Sequence, residues 1–329
     1  MYVRISIGFA VLILLFTGAL VHMTQVVDGD LASEPATLDE RQIKLSGILE
    51  DSVRHMTDVI GQRNGTRAGS LTQVEEYLAG QLQGQNLTVT RETFKADGLD
   101  VANLIVEIPG ATRPDEIIVI GTHYDSYGRS PSGNASASGS AVLVELAGQV
   151  SGQRLSRTVR LVLFTTGEFP YAGTIQSGAV VHAKQAKAKG ENIKAAVMLG
   201  SLGCWAEQPG TQKFPFPMSL CYPDTGDFLA VFGERDLVKD VGASLFSTGS
   251  FRVRGGTLPS WVPGMESRGD QAAFHKAGFP TVLVTDTGAA RDPYLRSNAD
   301  GSQRVDSAQL ARVTTSLAAA VRHLANAVD

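Results

Sequence analysis

From residue 87 onward, short β-rich runs alternate with stretches of helical periodicity, and that alternation most constrains what this chain can fold into. The β-rich runs fall at residues 87–94, 102–108, 116–120, 158–164, 195–199, 228–232 and 281–285. Between several of them, apolar residues recur at helical spacing over 140–150, 178–189, 235–246, 271–276 and 308–327. Strands interleaved with helices in this way predict an α/β domain, a three-layer sandwich with a largely parallel mixed central sheet and helices on both faces. Two helices precede the alternation. Thr37 and Glu40 have capping-box spacing ahead of Ile43, Leu45, Ile48, Leu49, Val53, Met56 and Ile60, and a second helix starts near Ser70 with Val74, Tyr77, Leu78 and Leu82 on its inner face. No internal repeat is present, so residues 37–329 read as one domain.

The N-terminus carries a separate element. Residues 5–21 are apolar apart from Ser6 and Thr17, long enough to cross a hydrocarbon core of about 30 Å as a helix. Only Arg4 precedes the run, no Lys or Arg follows it until Arg41, and Asp28, Asp30, Glu34, Asp39 and Glu40 lie in between. This asymmetry predicts a single-pass anchor within residues 1–27, with the domain on the extracytoplasmic side. A cleaved signal peptide, giving a secreted or periplasmic protein, is the competing reading. Residues 28–36, acidic and containing Pro35, read as a linker.

A net charge of −4 without any basic run excludes an electrostatic footprint for nucleic acid. Cys204 and Cys221 suit either a disulfide or two unpaired thiols. The Gly-rich stretch 128–139 lacks the Lys of a phosphate-binding loop. Ser126 lies near His123, but a Ser beside a His in sequence is not a triad. His182, His275 and His323 lie in helical stretches without ligand spacing and read as surface or satisfied side chains.

In functional terms the motifs speak together. GTHYDS (residues 121–126), an N-A-S-A-S-G turn opening a helix (134–139), VRLVLFTTGE (159–168), IKAAVMLGSLG (193–203) and DQAAFHKAGFPTVLVTDT (270–287) occur in an order that resembles the family-28 metallopeptidases. These are two-zinc aminopeptidases whose fold recurs in glutamate carboxypeptidases and the transferrin receptor ectodomain. The likeness covers roughly residues 40–325 and implies a zinc-aminopeptidase-like fold. It also implies five ligands, namely a His, a bridging Asp, a Glu, a further acid and a final His, with a Glu base directly before the ligand Glu. His123 matches the first ligand, Glu168 the ligand Glu, and Asp125 the carboxylate that orients the His ring. The remaining positions are degenerate. The bridging Asp falls on Ala135, the base on Gly167, the second acid on Gly200 and the final His on Arg296.

A catalytic zinc needs about three protein ligands and one open position. Each of the two sites implied by the resemblance keeps one. A guanidinium at position 296 stays charged and would oppose a dication 4 Å away by about 8 kcal/mol at an effective dielectric of about 20. His123, Asp125 and Glu168 are thus expected to be remnants of a metal site, and no catalytic or metal-binding residue is assigned. Arg296 either replaces metal charge by pairing with Glu168 or Asp125, or lies exposed on a loop. The leading reading is a membrane-tethered, catalytically inactive binding module with a peptide or protein ligand and no cofactor. The rival is an active zinc aminopeptidase or other exopeptidase with ligands recruited from Glu266, Asp270, Asp286 or Asp292.

Overall fold

In the computed structural model, residues 18–31, 37–257 and 269–327 are described. Residues 1–17 of the expected anchor and Glu266 lie outside them. Nine strands are found among the described residues: β1 (Val27–Gly29), β2 (Thr90–Ala96), β3 (Leu99–Ile108), β4 (Arg113–His123), β5 (Arg157–Phe164), β6 (Asn192–Leu199), β7 (Phe228–Gly233), β8 (Arg252–Gly256) and β9 (Thr281–Thr285). They form one sheet in the order β1-β8-β7-β9-β6-β4-β5-β3-β2. Its centre, β9-β6-β4-β5, is parallel, while β2 and β3 at one edge and β1 at the other run antiparallel to their neighbours.

The parallel centre requires cover on both faces, and the sequence supplies it. Helices α1 (Glu40–Arg54), α2 (Ser70–Gly84), α3 (Ser138–Ser151), α5 (Arg235–Phe246) and α7 (Ser307–Asn326) bury one face. Helices α4 (Gly178–Ala188) and α6 (Asp270–Ala277) bury the other. Successive residues of β4 from Ile117 to Thr122 are therefore all buried, which erases the period-two alternation of a one-sided strand. The three-layer α/β sandwich is the expected fold class.

Two local expectations are corrected. The capping box of α1 is formed by Asp39 and Gln42 rather than Thr37 and Glu40: Gln42 N donates to Asp39 Oδ1 at 2.8 Å and Asp39 N to Gln42 Oε1 at 3.2 Å. Residues 27–29, at the junction of the expected anchor and linker, form an edge strand, since β1 pairs with β8, and residues 32–36 of the expected linker lie outside the described residues. The physical reason is charge. Arg254 of β8 is buried, and its guanidinium reaches Asp28 (3.1 Å), Asp30 (2.5 Å) and the Gly29 carbonyl (3.0 Å). The acidic residues thus satisfy a strand cation that would otherwise be stranded at the sheet edge. Among the described residues no helix is long and apolar enough to cross a membrane.

Candidate functional site

The carboxyl ends of β4, β5, β6 and β9 meet at one edge of the sheet. Parallel pairing sets His123, the last residue of β4, opposite Phe164, the last residue of β5. The turn after β5 then brings Glu168 back toward His123. Asp125 fixes this turn by accepting hydrogen bonds from Gly167 N (2.7 Å) and Glu168 N (3.0 Å). Its expected role is therefore corrected: both of its oxygens are taken by amides of the 167–168 turn. His123 Nδ1 instead lies 2.9 Å from Asp270 Oδ2, at the first residue of α6.

The opposite ring nitrogen, His123 Nε2, is 3.5 Å from Glu168 Oε1, and that same oxygen accepts from Arg296 Nε at 2.8 Å. Of the two placements open for Arg296, pairing with Glu168 is the one found. Arg296 has a φ of 62°, in the left-handed region that costs a non-glycine residue energy. Asp300 holds that turn by accepting from Arg296 N at 2.9 Å.

The chain His123–Glu168–Arg296, with Asp270 behind the imidazole, sets the local electrostatics. Burial works against a charged imidazole, yet Asp270, by charge and hydrogen bond, and Glu168 hold His123 well above the ordinary histidine range. Burial alone would raise Glu168, but His123 and Arg296 outweigh it and keep the carboxyl below its usual range. Asp125 is pushed up to about 6 by burial, against the pull of His123 and with the charge of Glu168 adding to the rise.

Two of the positions where the resemblance implies a base or a ligand are closely approached by neighbours, and a third borders a cavity. A Cβ on Gly167 would meet His123 Cβ at 2.4 Å and Cγ at 2.5 Å, so the ring occupies the space a base at 167 would start from. A Cβ on Gly200 would sit 3.2 Å from Thr285 Oγ1 and 3.3 Å from its Cβ. Ala135 is buried and, with Met198, Leu199, Leu283 and Leu295, gives apolar walls to a cavity of about 170 Å³ whose polar edge is His123, Asp270, Gln271 and Arg296.

Of the conceivable recruits among the described residues, Asp270 meets His123 on the ring nitrogen turned away from Glu168, and Asp286 and Asp292 are engaged elsewhere. Asp286 accepts from Ser201 Oγ (2.6 Å), Cys204 N (2.8 Å), Gly288 N (2.9 Å) and Asn134 Nδ2 (3.0 Å). Asp292 accepts from Tyr294 N at 3.0 Å and lies 3.4 Å from Arg304 Nε. Asn134, beside Ala135, ties the loops after β4, β6 and β9 together, since its own N donates to Asp300 at 2.7 Å and its Oδ1 accepts from Gly203 N at 2.8 Å. Among the described residues, no group of three or more His, Cys, Asp or Glu side chains is disposed to hold a metal ion. The zinc pair that the resemblance implies does not fit the donors present: each of its two sites keeps one matching donor, His123 Nε2 or Glu168, and the Glu168 carboxylate is held by Arg296.

Other candidates resolve plainly. Ser126 Oγ accepts from Arg63 N at 2.8 Å. Arg63, unforeseen from sequence, is completely buried and donates to the carbonyls of Met56, Gly61, Tyr124, Pro131 and Ser132 and to Ser136 Oγ. It clamps the loop after β4 to the end of the first helical layer. His182 is not a surface residue: it is buried with Nδ1 3.1 Å from Glu92. Cys204 and Cys221 are both free thiols.

The model of peptidase family M28 matches residues 103–321. The chain belongs to this family. It is 28% identical over 277 residues to the uncharacterized protein YfbL of Escherichia coli, spanning 80% of this chain and 84% of that one. It is 35% identical over 101 residues to leupeptin-inactivating enzyme 1 of Streptomyces exfoliatus, a match spanning 31% of this chain and 23% of that enzyme. Similar folds include the LapA aminopeptidase of Legionella pneumophila (TM-score 0.67, 15% identity, 91% of this chain and 79% of that one). The glutaminyl cyclase of Fimbriiglobus ruber superposes with a TM-score of 0.63 (19% identity, 88% and 99%). BSAP, a zinc aminopeptidase from Bacillus subtilis, does so with 0.65 (11% identity, 86% and 95%). This M28 chain thus has a peptidase-type fold and a peptidase-related ancestry.

Proposed function

We propose that this M28 chain no longer hydrolyses peptides by metal-activated water and acts as a binding module, tethered to a membrane through its N-terminal segment with the domain on the extracytoplasmic side. The observation that carries the reading is the 2.8 Å contact of Arg296 Nε with Glu168 Oε1. A fixed guanidinium neutralises the carboxylate that matches a metal ligand and repels any cation approaching it. The closure of position 167 by the His123 ring supports it, because a general base has no room there without moving that ring. The apolar cavity beside this cluster supports binding. A space of about 170 Å³ suits a single side chain of a peptide or protein ligand, with the polar edge of His123, Asp270 and Arg296 facing the ligand backbone.

The test has two arms. Short peptides with aliphatic residues are titrated against the full chain by calorimetry, and against Ala135→Phe, which fills the cavity. Release of free amino acids is followed with added zinc and with a chelator. Saturable binding lost in A135F, without turnover, is expected. Chelator-sensitive release of amino acids would establish the rival reading of an active zinc exopeptidase.

A further inference from the structure

Between β6 and β7 the chain makes an excursion whose tip, residues 214–222, reads FPFPMSLCY. Its even-numbered residues alternate in and out. Met218 and Tyr222 are buried and Phe214 half-buried, packed on Phe228, Ala230 and Phe232 of β7 as a small core of their own. Phe214 and Tyr222 are in ring contact at 4.8 Å, and Tyr222 meets Phe232 edge-on at 5.9 Å. Phe216 and Leu220 point the other way, 77% and 71% exposed. No other large hydrophobic side chain among the described residues is as exposed as Phe216. The outward pair is thus presented by a built scaffold.

The chain leaving the apolar N-terminal run is held beside the same tip, by Tyr222 of the tip and by two residues outside it. Tyr222 Oη donates to Thr24 O at 2.9 Å, Thr257 N to Met23 O at 2.8 Å and Arg235 Nη1 to His22 O at 2.7 Å. Residues 22–24 are therefore pinned immediately after the run of residues 5–21, and β1 follows at Val27. Phe216 lies six positions before Tyr222 in the chain, a reach of at most about 20 Å. The outward pair and the end of the N-terminal run thus lie in one neighbourhood of the domain, joined through the contact of Tyr222 with Thr24. Composition agrees: between Thr211 and Asp224 the only charge is Lys213, and Pro215 and Pro217 carry no N–H to be stripped of water.

We propose that Phe216 and Leu220 form a second membrane contact, entering the headgroup and upper acyl region of the bilayer that receives the N-terminal segment. This rests on the membrane tether proposed above. Aromatic and aliphatic side chains on a rigid loop are suited to that depth, and an exposed apolar pair beside an anchor is accounted for by the surface the anchor enters. Two contacts on one face would hold the domain at a fixed tilt on the bilayer, where a single flexible linker would leave it free to rotate.

The test uses the full chain reconstituted into phosphatidylcholine vesicles, with and without brominated acyl chains. Phe216→Trp and, separately, Leu220→Trp report the tip, Ile43→Trp on α1 is the exposed reference, and the unsubstituted chain gives the background of Trp205 and Trp261. The expected result is that the Trp at 216 or 220 is blue-shifted and quenched by brominated lipid several-fold more than the Trp at 43. Co-flotation with vesicles but no lipid quenching at 216 and 220, with full access to acrylamide, overturns the proposal. Shielding from acrylamide without lipid quenching also overturns it, in favour of a protein partner or second copy. Failure of the chain to float with vesicles removes the tether itself and is read separately.

Discussion

Removing the guanidinium of Arg296 tests whether it is the built partner of Glu168. The Glu168 side chain is 3% exposed and that of Arg296 is 28% exposed, with 2.8 Å between Nε and Oε1. Exposed ion pairs are worth about 0.2–1 kcal/mol, whereas breaking a fully buried pair by deleting one partner costs about 3–5 kcal/mol. This pair lies between, and His123 remains near Glu168, so a coupling of about 1–3 kcal/mol is expected. The assay is urea denaturation of the wild type, Arg296→Met, Glu168→Gln and the double variant. Methionine keeps a Cβ on the residue at φ 62°, so the backbone cost is unchanged across the cycle. Because Glu168 is held below its usual range, the coupling is present above the unfolded carboxylate value of about 4.3 and lost as pH falls through the lower folded value. Additivity within about 0.3 kcal/mol at pH 7 would refute the reasoning, since independent sites add to that level.

Gly167→Ala places a methyl against the fixed Cβ and Cγ of His123 and is expected to cost about 1–3 kcal/mol, while Gly200→Ala, with contacts no closer than 3.2 Å, costs clearly less in the same denaturation assay. Arg63→Met removes the six hydrogen bonds its side chain gives to five carbonyls and a hydroxyl and is expected to destabilise by more than about 3 kcal/mol. His123 is held above its ordinary range, so its contribution is full below about pH 6.5 and lost as pH rises through the folded value; His123→Gln should flatten the alkaline limb of a stability–pH profile. Burial pushes the Cys204 thiol up to about 12, so iodoacetamide at pH 8 should modify it at least about tenfold more slowly in the fold than in urea, read by peptide mass analysis.

The layers of the fold were legible because the centre of the sheet is long and apolar while each helix carries a buried stripe. The sheet edge at β1 and β8 was not. Arg252 and Arg254 interrupt the β-rich pattern, and the charges that make a buried Arg254 tolerable come from Asp28 and Asp30, more than two hundred residues away in sequence. The site divides in the same way. His123, Glu168 and Arg296 were found because they stand at positions where strands end, and residue type alone suggested that Glu168 and Arg296 would attract. The switch of the His123 partner from Asp125 to Asp270 was hidden, because it depends on how α6 packs behind β4. Arg63 gave no signal at all: a lone Arg in a polar turn is ordinary in sequence, and only the convergence of five carbonyls makes it a clamp.

The central claim, that Arg296 holds the one matching carboxylate and leaves His123 Nε2 without the co-ligands to seat a divalent ion, is tested most directly by zinc-edge anomalous diffraction from crystals of this chain equilibrated with zinc. The account predicts no anomalous peak within coordination distance of His123 Nε2 or Glu168, with Arg296 Nε still on the Glu168 carboxylate. A strong peak bridging His123 and Glu168, with the guanidinium displaced, would contradict it.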